Sequence, residues 1–161
     1  MLNLATIIVN KPRAEILEKF PDLTVTDQGN FSRIQSPEPK AFTEVWYANL
    51  ESPLPELAAE ISKGLGAVTL AVINWDDDLL RMWAFSSGEF ITTYDSNPSY
   101  ATCTITPPEL EPDTGEKLAT LFGVPDKAKA IKQVLSRKKG FTFINETGRL
   151  DQLWSLLNIQ I

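Results

Sequence analysis

An α+β fold is predicted by three features of this sequence. Residues 67–96 form its densest run of β-branched and aromatic residues, cut twice by turn signals; the flanking segments carry apolar residues at helical spacing; and the chain is 161 residues long. A chain of that length buries roughly 70% of its extended surface, which is enough for one genuine core and tight for two. The expected architecture is therefore an antiparallel sheet with a central meander, about 67–95, covered by helices within a single domain spanning 1–161.

In chain order, Leu2 to Val9 has the β-branched character of a first strand. Pro12 stands at a favourable first helical position, and Ile16, Leu17 and Phe20 share one face before Pro21 ends the helix. Leu23 to Thr26 and Phe31 to Gln35 flank the turn Asp27-Gln28-Gly29-Asn30 and form a hairpin. Ala41 to Leu50 is a further expected strand, with Phe42, Val45 and Trp46 facing a core. Ser52 then caps a helix to about Lys63, with Leu54, Leu57, Ala58 and Ile61 on its buried stripe.

The meander itself divides into Ala67 to Trp75, Leu79 to Phe85, and Phe90 to Asp95, separated by Asp76-Asp77-Asp78 and by Ser86-Ser87-Gly88-Glu89. Its first strand is apolar at odd and even positions alike, so it is expected to be covered on both faces. Ala101 to Thr106 is one more expected strand, and Glu109 to Asp113 an acidic connector. Two helices follow, Thr114 to Phe122 and Asp126 to Lys139, broken at Gly123-Val124-Pro125. A short strand at Phe141 to Ile144 precedes a last helix from Glu146 or Thr147, with Leu150, Leu153, Trp154 and Leu157 on one face.

Composition removes whole classes of chemistry. There is no histidine, which excludes a Ser-His-Asp triad, a Cys-His dyad and every histidine-containing zinc site. The single cysteine, Cys103, cannot form an internal disulfide, and its setting between Thr102 and Thr104 offers no base to make a thiolate; a reducing compartment is expected. No apolar run approaches the roughly 20 residues that span a bilayer, and Met1 to Val9 lacks the basic start and small-residue cleavage site of a secretory signal. A cytoplasmic location and no membrane partner are the expectations.

The net charge of −6 is segregated. Residues 127–139 hold six bases and no acid, leaving nine bases against 21 acids elsewhere, whereas from Asp76 to Glu116 nine acids meet only Arg81. Such separation bears on association more than on fold. Three stretches are candidate sites. The carboxylates Asp76, Asp77 and Asp78, joined by Asp95, suit a hard divalent cation, although a solvated turn explains them better. Glu89 lies at the far end of the second meander strand and is not part of that set. Lys132 and Lys138, on the basic helix, suit phosphate, RNA or an acidic protein surface, although a solvated helix face explains them better. Nucleic acid is disfavoured by the overall negative charge and by the lack of an interleaved aromatic.

The third candidate is the loop Tyr94-Asp95-Ser96-Asn97-Pro98-Ser99-Tyr100, stiffened by side chains that fold back on the backbone and by the Asn97-Pro98 bond. Tyr94, Asp95, Asn97 and Tyr100 are its candidate recognition residues. With the preceding Gly88-Glu89, the run resembles a "Gly-Glu, then Tyr-Asp-Ser-Asn-Pro-x-Tyr" hairpin of uncharacterised bacterial proteins of unknown function. That resemblance covers about a tenth of the chain; it implies a bacterial source and a fold built on this hairpin, and no reaction or cofactor.

Two functional classes follow. One is a non-catalytic protein-interaction or regulatory module, immunity-type binding included, with no cofactor and with a protein partner or a second copy paired through the edge of the last meander strand. The other is a metal-dependent hydrolase or phosphoryl-transfer enzyme using Asp76, Asp77, Asp78 and Asp95, in which the ion activates water because no histidine is present.

Overall fold

The structure is a computed structural model, and it describes residues 4–29, 31–35, 53–75, 77–100, 107–137 and 145–160. The strands are β1 Leu4–Val9, β2 Val25–Gln28, β3 Phe31–Gln35, β4 Val68–Trp75, β5 Leu79–Ser86, β6 Glu89–Asp95 and β7 Glu109–Leu110. The helices are α1 Arg13–Lys19, α2 Leu54–Leu65, α3 Thr114–Leu121, α4 Ala128–Ser136 and α5 Glu146–Leu156, with a 3₁₀ turn at Pro125–Lys127. The strands expected at 41–50, 101–106 and 141–144 lie outside the described residues, as do Ser52, Asp76, Cys103 and Lys138.

One seven-stranded sheet runs in the order β2-β3-β1-β4-β5-β6-β7, and every neighbouring pair is antiparallel. The meander is its right half, and β4 is the middle strand, paired along its length with β1 and β5. Because side chains alternate across a strand, β4 sends Leu70 and Val72 to one face and Ala71 and Ile73 to the other, all with no exposed surface. The first face meets α3, α4 and α5 through Leu118, Ile131, Leu135, Leu150, Leu153 and Leu157. The second meets α1 and α2 through Ile16, Leu54, Ala58 and Ile61. Helices on both sides of an antiparallel sheet make three layers, and the doubly apolar pattern of β4 is the sequence consequence. None of the helices among the described residues is long and apolar enough to cross a membrane.

The β5–β6 hairpin turns on Ser87 and Gly88, both at positive φ (51° and 87°), the geometry whose twist matches the flanking strands. Gly88 also has no room for a side chain, since a Cβ there would lie 2.8 Å from Lys63 Cβ. Its N–H donates to Ser62 Oγ, which in turn donates to Ala67 O at the end of α2. The turn is thus pinned to the helix that precedes the meander. One extra residue, Ile91, interrupts the register between Ala84↔Thr92 and Phe85↔Phe90.

Two expectations need correction. Glu109-Leu110 is not part of a plain connector: it forms β7, which pairs with Tyr94 and Asp95, so β6 is not the outermost strand of the sheet. The helix expected from Asp126 starts as a 3₁₀ turn and becomes α-helical at Ala128.

Candidate functional site

The acidic turn and the end of β6 share one rim of the sheet, because Trp75 pairs with Leu79 and Arg81 pairs with Asp95. Glu89 is at the opposite rim, beside Ser86. Asp77 sits at φ 62°, a left-handed conformation that aspartate tolerates better than most residues. Its Oδ1 accepts a 2.7 Å hydrogen bond from the Thr147 N–H in the first turn of α5. Asn145, the N-cap, accepts from the Gly148 N–H at 2.8 Å, and Asn74 Nδ2 donates to Thr147 Oγ1 at 3.1 Å. Two of the helix's orphan donors are therefore satisfied, one by a carboxylate placed where the helix dipole is positive. Among the described residues no three carboxylates or thiols gather where they would hold a metal ion.

The loop after β6 is held by its own polar groups. Arg81 Nε donates to Asp95 Oδ2 at 2.6 Å, and Asp95 Oδ1 accepts from the Asn97 N–H at 2.9 Å, an Asx turn. Ser96 continues the ladder with its side chain, accepting from the Leu80 N–H at Oγ while its own N–H donates to Leu80 O. Asn97 Oδ1 is buried without a hydrogen-bond partner. Tyr100 is half-buried against the α1–α2 core. Tyr94 points the other way, into the core beneath α4 and α5, and is only 1% exposed. Its hydroxyl donates to Leu135 O at 2.9 Å, and burial pushes the phenol well above its usual range.

Beneath Tyr94 lies a buried ion pair that sequence reasoning missed. Arg149 is 0% and Glu146 1% exposed, with Arg149 Nε 2.8 Å from Glu146 Oε2. The guanidinium also donates to Val134 O (2.7 Å), Leu135 O (3.2 Å) and Arg137 O (2.7 Å). A single side chain thereby satisfies the last carbonyls of α4, where a cation is also favoured by the helix dipole. The available signal was the i, i+3 pair Glu146/Arg149 placed beside Leu150 and Leu153. A charge pair on an apolar stripe is a buried pair or an error of phase.

The basic helix presents the opposite picture. Ile131, Val134 and Leu135 are buried, whereas Lys129 and Lys132 are exposed. Lys127 Nζ and Arg137 Nη1 donate to neutral amide oxygens, Asn158 Oδ1 and Gln152 Oε1. Among the described residues none of these four cations is within ion-pair distance of a carboxylate. Elsewhere the picture is mixed: Lys11 pairs with Glu15, Arg81 with Asp95, and Lys117 with both Glu111 and Asp113, whereas Arg13, Lys19 and Arg33 donate to uncharged oxygens. Lys117 and Thr92 hydrogen-bond Glu111 and hold its carboxyl below the usual range.

The structure thus brings Asp77, Asp78, Asp95 and Asn97 to one rim, sends Tyr94 and Tyr100 to opposite faces, and places Lys132 on α4. No family model, curated protein sequence or solved structure matches the chain.

Proposed function

We propose that this protein is a non-catalytic protein-interaction module, a rigid frame that presents a surface to another protein. The observation that supports this most directly is where the reactive groups spend their bonds. Asp77 caps α5, Asp95 binds Arg81 and the Asn97 backbone, and the Tyr94 hydroxyl binds the end of α4. A general acid or base must be within reach of substrate with its proton available, and these candidates are engaged in holding the fold. Rigidity favours recognition, since little conformational entropy is lost when an ordered surface docks.

The test is cross-linking of the tagged full-length chain in its native cell, followed by identification of covalently joined proteins. A discrete, saturable partner is expected. A chain that cross-links to nothing while hydrolysing phosphate esters in the presence of Mg²⁺ or Mn²⁺ would instead establish the metal-dependent alternative.

A further inference from the structure

We infer that the docking surface is the outer face of α4 from its N-cap Lys127 to Arg137, with the exposed Asp126 at its margin, and that its partner is a short acidic segment of a protein. This rests on the interaction-module reading above and names the surface and the chemistry it recognises. Lys127, Lys129, Lys132 and Arg137 extend along about 15 Å of helix at the usual rise. Lys127 and Arg137 are steadied by amide oxygens that leave their charge uncompensated. Lys129 and Lys132, one turn apart, are exposed. The inward stripe of Ile131, Val134 and Leu135 fixes which way they point.

The negative end of the helix is engaged from inside rather than left open beside these cations. An uncapped C-terminus would place partial negative charge beside Arg137. Here the Val134, Leu135 and Arg137 carbonyls all accept from Arg149, so that negative end is covered from inside.

Charge also decides between classes of partner. Outside residues 127–139 the chain carries nine bases and 21 acids. At physiological salt, exposed charges are screened beyond about 8 Å, so the basic face attracts an anion locally despite the acidic whole. A short run of carboxylates fits within that patch. A long polyanion such as RNA overruns it onto acidic surface, and no exposed aromatic on α4 offers a base a stacking platform.

Fluorescence anisotropy with the whole chain tests this, using a labelled peptide of about five glutamates, which when extended matches the roughly 15 Å of helix, and a labelled oligouridylate several times longer, which overruns it. Titrations at about 20 mM and about 200 mM salt bracket the screening regime. The glutamate peptide is expected to bind at low salt and weaken as salt rises. The Lys129→Glu/Lys132→Glu variant, with a circular dichroism spectrum and melting temperature like those of the parent, is expected to lose at least about tenfold in affinity. No binding of the peptide at low salt, unchanged affinity in the variant, or tighter binding of the oligouridylate would each overturn the inference. Cross-linking of the same variant in cells separates the two levels: a partner captured equally well by parent and variant leaves the module reading standing and removes this surface.

Discussion

Tyr94 and Arg149 converge on one oxygen. The phenol hydroxyl and the guanidinium both donate to Leu135 O, at 2.9 and 3.2 Å, and the guanidinium carbon lies 6.0 Å from the Tyr94 ring centroid. One side chain comes from the end of β6, the last strand of the meander, and the other from α5, and their shared acceptor is in the last turn of α4. Three elements distant in sequence are thus tied at a point from which water is excluded.

The first prediction concerns the cation at that point. Arg149→Ala leaves the Glu146 carboxylate buried without its counter-charge and removes a donor from three carbonyls, of which Leu135 O alone keeps the Tyr94 hydroxyl, so a loss of about 3–5 kcal/mol is expected. Urea denaturation provides the measurement. The double variant Arg149→Met/Glu146→Leu removes both charges and should recover much of that loss, whereas Arg149→Lys should not, because an ammonium cannot span carboxylate and carbonyls in a planar fork.

A second prediction follows from the Tyr94 hydroxyl, whose folded-state pKa is raised by desolvation. The neutral phenol is the form the fold prefers, so its contribution is present below the unfolded value near 10 and is lost as pH rises above it. Tyr94→Phe should cost about 1 kcal/mol at neutral pH through the lost hydrogen bond. Above pH of about 10, where the unfolded parent gains by ionising and the variant cannot, the gap between the two stability curves should close. A gap that stays constant through that range would contradict it.

Third, Asp77 is read as a helix cap. Asp77→Ala removes the acceptor for the Thr147 N–H and puts a residue ill-suited to positive φ at 62°, so a loss of about 1–2 kcal/mol is expected. Asp77→Asn keeps an acceptor and tolerates the backbone, and should lose less. Melting curves of parent and Asp77→Asn with added Mg²⁺, Mn²⁺ or Ca²⁺ distinguish a cap from a ligand: a cap predicts no ion-dependent difference between them.

The contact between α3 and α4 gives a fourth. A Cβ on Gly115 would lie 2.7 Å from Ala128 O and 3.0 Å from Lys132 Cβ. Gly115→Ala ought to gain up to about 1 kcal/mol of helix propensity. The nearest obstacle is backbone, which cannot swing aside, so a net loss of about 1–3 kcal/mol is expected instead. A variant that melts above the parent would show that the two helices can part without cost.

Much of the architecture was legible because its causes are local. The unbroken apolar run of β4, the Ser87-Gly88 turn and the apolar stripes of α2, α4 and α5 each depend on residues within one or two turns of one another. The last meander strand was read less well. Its sequence suggests Tyr94 as a recognition residue of a loop, whereas Tyr94 continues the inward-facing row of Thr92, both at 2% exposure or less. The strand β7 escaped notice because two residues of Glu-Leu carry no periodicity; pairing with Tyr94 and Asp95 makes them a strand.

By itself, then, the sequence determined the class of fold, the doubly covered middle strand and the segregation of positive charge onto α4, since these follow from composition and short-range period. Only the tertiary structure decided which polar groups remain available. Asp77 caps a helix 70 residues away, and Arg149 finds acceptors 12 to 15 residues back in the chain. Whether a charged side chain is spent on the fold or left for a partner depends on which donors and acceptors the folded chain brings within about 3 Å of it, and no local pattern carries that information.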